Sequence, residues 1–70
     1  MATQRLWVKG LKPGDEERAA ARLRTIDGVL GAVLSARGEY ADVDLDDDRA
    51  SVDDVRRALR ELGCESGLAG

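Results

Sequence analysis

Four groups of residues in this chain carry side chains suited to chemistry. Cys64 is the one thiol among 70 residues, and histidine is absent. Asp15 and Glu16 are adjacent carboxylates behind the break at Pro13-Gly14. Asp42, Asp44, Asp46, Asp47 and Asp48 form an acidic run, and Trp7 and Tyr40 are the only large aromatics. Each group has a sharp reading and a plain one.

Catalysis has little to rest on. There is no His base, no Ser-His or Cys-His pair and no Gly-rich loop able to cradle phosphate. A non-enzyme is expected. A metal site fares only slightly better. Cu(I) is selected by thiolate or thioether ligands, and Zn(II) by thiolate and imidazole. The chain offers one thiol and one thioether, Met1. Cys64 with Asp15 and Glu16 is the mixed ligand set to consider, for weak Zn or Cu at most. Two chains pooling Cys64, as a disulfide or a shared-metal dimer, is the other arrangement. The plain reading of Cys64 is a small thiol filling space against Leu11. The acidic run begins Asp-x-Asp-x-Asp like a calcium loop, but Asp47 stands where that loop needs Gly. Its plain reading is a solvated strand face followed by a solvated connector.

Eleven basic and fourteen acidic residues leave a net charge of −3. That excludes the cationic footprint of a dedicated nucleic-acid binder. Trp7, Val33 and Tyr40 are expected on one open sheet face, but only Arg5 and Lys9 accompany them, beside Asp42 and Asp44. A protein contact suits such a patch better than stacked bases. No apolar run is long enough to span a bilayer, and the first residues show no secretory pattern. With a single cysteine and no intrachain disulfide possible, a cytoplasmic setting is expected.

The elements that position these residues follow from periodicity. Leu6 and Val8 alternate with Arg5, Trp7 and Lys9, a half-buried strand. Asp15 to Ile26 reads as a helix with its stripe on Ala19, Leu23 and Ile26, ended by Asp27-Gly28. Val29 to Ala36 and Tyr40 to Leu45 read as a hairpin. Leu30, Ala32, Leu34 and Ala36 are expected on one face of the first strand, and Ala41, Val43 and Leu45 inward on the second. Ser51 caps a second helix with its stripe on Val52, Val55, Leu59 and Leu62. Asp53 with Arg57, and Arg57 with Glu61, are expected ion pairs four residues apart. Cys64 to Gly70 holds only a short, weak strand, whose edge is open to another strand. The order predicts a single domain over 1–70, α+β, of the ferredoxin-like βαββαβ type. Two helices should cover one face of a four-stranded antiparallel sheet.

The chain resembles heavy-metal-associated domains, the small copper-chaperone-like modules. The resemblance is carried by Val8-Lys9-Gly10-Leu11, Gly28-Val29, Val43-Asp44-Leu45-Asp46, Ser51-Val52-Asp53-Asp54-Val55 and Ala58-Leu59-Arg60-Glu61-Leu62-Gly63. That family holds a soft metal in its first loop, on a Gly-Met-x-Cys-x-x-Cys stretch. Here the stretch reads Gly10-Leu11-Lys12-Pro13-Gly14-Asp15-Glu16, and the CxxC thiols are missing. The resemblance implies docking onto a partner through the first loop and the last one. The partner-binding candidates are therefore Lys12, Pro13, Gly14, Asp15, Glu16 and Cys64, with Trp7, Val33 and Tyr40 as a second surface. The expected function is a protein-interaction module. The alternative is a metal-trafficking protein using Cys64 with Asp15 and Glu16, or a Cys64-bridged dimer.

Overall fold

The computed structural model describes residues 2–69. Met1, the one thioether, lies outside them. The elements run β1 (Ala2–Lys9), α1 (Glu16–Arg24), β2 (Val29–Ser35), β3 (Tyr40–Leu45), α2 (Val52–Glu61) and β4 (Glu65–Leu68). The sheet order is β2-β3-β1-β4, and every pairing is antiparallel. This is the βαββαβ ferredoxin-like arrangement.

The core forms between the helices and one face of the sheet. Leu6, Val8, Val43 and Leu45 from the strands meet Leu23 of α1 and Val55 and Leu59 of α2, all essentially buried. Fully burying a side chain of this size is worth about 1.5–3 kcal/mol each. α2 starts on a capping box, in which the Ser51 N–H donates to Asp54 Oδ2 at 2.9 Å. Neither expected ion pair of Arg57 forms. Arg56 meets Asp53 at 3.4 Å instead, and Glu61 takes Arg22 of α1 at 2.9 Å, tying the two helices together.

Three expectations are corrected. β1 starts at Ala2, four residues before the apolar alternation, because Ala2, Thr3 and Gln4 pair with Leu45, Asp44 and Val43. α1 stops at Arg24, so Ile26 packs on the core from the turn that follows. In β2, Leu30 is not on the buried face. Val29 pairs Leu45 and Gly31 pairs Asp44, so Leu30 is an extra residue in a bulge. The bulge turns Val29 inward and leaves Leu30 54% exposed. Ala32 and Leu34 keep the inward positions assigned to them, while Ala36 lies past the strand's end.

Candidate functional site

The first loop is shaped by its backbone. The Asp15 N–H donates to the Lys12 carbonyl at 3.0 Å, closing a turn with Pro13 and Gly14 at its centre. Gly14 has φ +96°, the value a type II turn requires after proline. The Glu16 carboxylate then folds back, and Oε1 accepts the Gly14 N–H at 2.7 Å. Accepting its own and the Gly14 backbone N–H holds the Glu16 carboxyl below the usual range.

The last loop is set by the end of α2. Cys64 N–H donates to the Leu59 carbonyl and Gly63 N–H to that of Arg60, both at 2.9 Å. With Gly63 at φ +85°, this is a Schellman motif. Cys64 occupies the position beyond the left-handed glycine, where such motifs place an apolar side chain. Gly10 brings the two loops together: a Cβ there would lie 3.1 Å from the Gly63 carbonyl.

Between the loops lies a cleft of about 160 Å³, lined by Gly10, Leu11, Lys12, Asp15, Arg18, Ala19, Leu62 and Cys64. The structure thus joins Cys64 with Asp15 and Lys12. Glu16 is not on the cleft wall; its carboxylate serves the turn amide. Pro13 and Gly14 are exposed at the turn's tip. Cys64 is only 4% exposed. Burial, and behind it the charge of Asp15, push its thiol pKa up. Among the described residues, no group of three or more Cys, His, Asp or Glu side chains is placed to hold a metal.

The second candidate surface is the open face of the sheet. Trp7 and Tyr40 stand directly opposite across β1 and β3, and Val33 pairs Asp42 on the far side of β3. Val33 is 64% exposed and Trp7 39%. The Arg5 guanidinium lies over the Tyr40 ring, 4.3 Å from the centroid, while Nε and Nη2 donate to both oxygens of Asp42 at 2.7 and 2.8 Å. That bidentate pair holds the Asp42 carboxyl below its ordinary pKa. Sequence reasoning missed the role of Gly67. A Cβ there would meet the Trp7 indole at 2.7 Å, so the ring is free to lie across β4 only because that residue is glycine.

Four strands with two helices on one face and a loop corner beside α1 and the last loop define a class: the fold is that of heavy-metal-associated domains. Solved structures bear this out. The chain is similar to the N-terminal domain of a potential copper-translocating P-type ATPase from Bacillus subtilis, with 28% identity and a TM-score of 0.86. That likeness covers 97% of this chain and 86% of the other. The copper chaperone of Enterococcus hirae matches at 24% identity and TM-score 0.85, over 94% and 98%. Oxidized MerP from Ralstonia metallidurans matches at 21% and 0.89, over 99% and 97%. The first of these was solved loaded with Cu(I), and the second is a copper chaperone. No protein-family model and no curated protein matches the chain in sequence. Among the described residues, no helix is long and apolar enough to cross a membrane.

Proposed function

We propose that this chain is a heavy-metal-associated fold adapted to protein interaction, its metal loop no longer equipped to hold a soft cation. The observation that carries the reading is the state of Cys64. The loop stretch that supplies two thiolates in the resembled family has Pro13 and Asp15 or Glu16 in their places, and the chain's single thiol is buried with a raised pKa. Thiolate is the ligand form. A buried, protonated thiol beside one carboxylate is a poor soft-metal site, and its burial also counts against a Cys64-bridged dimer. What the corner offers a partner is shape and charge: the exposed tip Lys12-Pro13-Gly14, with Asp15 and Glu16 behind it. Trp7, Val33 and Tyr40 supply a second, apolar surface. A single domain over the whole chain, working in the cytoplasm, belongs to the same reading, since an unpaired thiol is ordinary there.

The test is a titration of reduced protein with Zn(II) and with Cu(I) against a competing chelator, beside Cys64→Ser. The expected result is no stoichiometric uptake in either protein. Stoichiometric binding that survives the chelator and disappears in Cys64→Ser overturns the reading in favour of metal trafficking through Cys64 and Asp15.

A further inference from the structure

β4 is an edge strand, and among the described residues it pairs with β1 alone. The Ala69 N–H donates to the Arg5 carbonyl at 3.0 Å, which fixes the hydrogen-bonding phase of the β1–β4 ladder. Antiparallel pairs alternate between bonded and non-bonded. Arg5/Ala69 and Trp7/Gly67 are therefore bonded pairs, while Val8/Ser66 and Leu6/Leu68 are not. The backbone N–H and C=O groups of Ser66 and Leu68 thus point outward, along the free edge. Consistent with this phase, Arg56 of α2 reaches over and donates from Nε to the Ser66 carbonyl at 3.0 Å.

That edge floors a groove of about 300 Å³ lined by Trp7, Arg56, Arg60, Cys64, Glu65 and Ser66. Its charge points to the occupant's chemistry: two arginines stand against one carboxylate, Glu65, in a chain of net charge −3. Arg60 joins no ion pair among the described residues, and Arg56 has only a loose one, with Asp53 at 3.4 Å.

We propose that the outer edge of β4 docks an extended acidic segment of a partner protein, which adds to the sheet as a fifth strand beside Ser66 and Leu68. The Arg56 latch decides the chemistry. An incoming strand must take the Ser66 carbonyl from Arg56. A neutral strand leaves that guanidinium without a partner; an acidic one supplies carboxylates to it and to Arg60. Without an occupant, the latch protects the edge from indiscriminate pairing. The proposal rests on reading the domain as an interaction module, and names one surface and one partner chemistry for it.

A synthetic peptide of alternating Glu and Val, capped at both ends, is the probe, with the Lys-Val peptide as control. Trp7 is the only tryptophan, so its emission reports occupancy of the groove directly. The expected result is a saturable Trp7 response to the Glu-Val peptide alone, weakened by added salt. Hydrogen exchange at the Ser66 and Leu68 amides should slow about tenfold at saturation. Arg60→Glu should weaken binding about fivefold or more, and Arg24→Ala, on α1 and outside both candidate surfaces, should leave it unchanged. No saturable response up to about 1 mM peptide, equal binding of the Lys-Val peptide, or an unchanged affinity in Arg60→Glu overturns the proposal. Protection appearing at Lys12 to Asp15 instead also overturns it, while leaving the interaction-module reading standing. That reading is judged separately by the metal competition.

Discussion

The corner around Cys64 and the open face of the sheet are built in opposite ways. The corner is a backbone construction. Three glycines with left-handed φ, Gly10, Gly14 and Gly63, fold two loops together, and a Schellman motif delivers the thiol to the core. Its one sulfur is buried and the Glu16 carboxylate is committed to backbone amides. The open face is a side-chain construction. Trp7, Tyr40, Arg5 and Asp42 stand on regular strand positions, and only Gly67 contributes by lacking a side chain. Changes in the corner should therefore cost stability first, and changes on the face should alter recognition at little cost in stability.

The sharpest way to break this contrast is at the glycines. Gly10 and Gly14 have nearly equal φ, +95° and +96°. Placing an L-residue in that conformation costs about 1–2 kcal/mol. At Gly10, a Cβ also crowds the Gly63 carbonyl at 3.1 Å, whereas nothing lies within 4 Å at Gly14. Gly10→Ala should lose about 2–3 kcal/mol in urea unfolding and Gly14→Ala about 1–2. Equal losses would mean that the two loops are not held against each other.

Cys64 gives the next largest effect. Cys64→Ser buries a hydroxyl in an apolar setting and should cost about 1–3 kcal/mol; Cys64→Ala should cost less, about 1 kcal/mol. Alkylation of the native thiol should be slow at pH 8 and become fast in urea. The pH dependence has a definite sign. The folded thiol pKa is raised, so the folded state holds its proton longer than the unfolded state. Stability should fall as pH rises from the unfolded thiol value towards the folded one. A fast-alkylating native Cys64, or a flat alkaline limb that Cys64→Ala leaves unaltered, would make the corner an open site.

How much of this was readable beforehand follows the same division. Positions governed by periodicity were plain: Leu6 and Val8, Ala41, Val43 and Leu45, and Val55 with Leu59 all lie where alternation or helical stepping put them. Cys64 meeting Asp15 followed from the family resemblance, not from spacing. What was unreadable depends on partners distant in the chain. The β2 bulge that turns Leu30 outward exists only in the register with β3. Ala2 to Gln4 become strand because Val43 to Leu45 are there to pair with them. Arg57 lost Glu61 because Arg22, thirty-nine residues away in the chain, reached that carboxylate instead. Gly67 looked like a weak strand residue, and its role emerges only once Trp7 lies over it.

On the open face, Gly67→Ala should change stability by less than about 1 kcal/mol. The added methyl would sit 2.7 Å from the indole Nε1, so the ring must swing off β4. A red shift of Trp7 emission with an almost unchanged urea midpoint is the expected pair of results. A large loss of stability would show that the indole holds the edge strand in place, and the face would then be structural like the corner.

The smallest expected effect is at Arg5 and Asp42. Both oxygens of the Asp42 carboxylate accept from one guanidinium, yet Arg5 is largely in solvent, where such pairs add little to folding. The signature lies in the titration. With its pKa depressed in the folded state, Asp42 contributes stability at pH above its unfolded value, and that contribution disappears as pH falls through the folded one. An NMR titration of the Asp42 carboxyl carbon should show the low midpoint, and Arg5→Gln should return it towards the ordinary carboxylate range. The same substitution uncovers the Tyr40 ring, enlarging the apolar patch beside Trp7 without touching the core. If the midpoint does not move in Arg5→Gln, the pair does not persist in solution. The open face would then present mobile charges around its aromatics, and the only rigid surface available to a partner would be the corner.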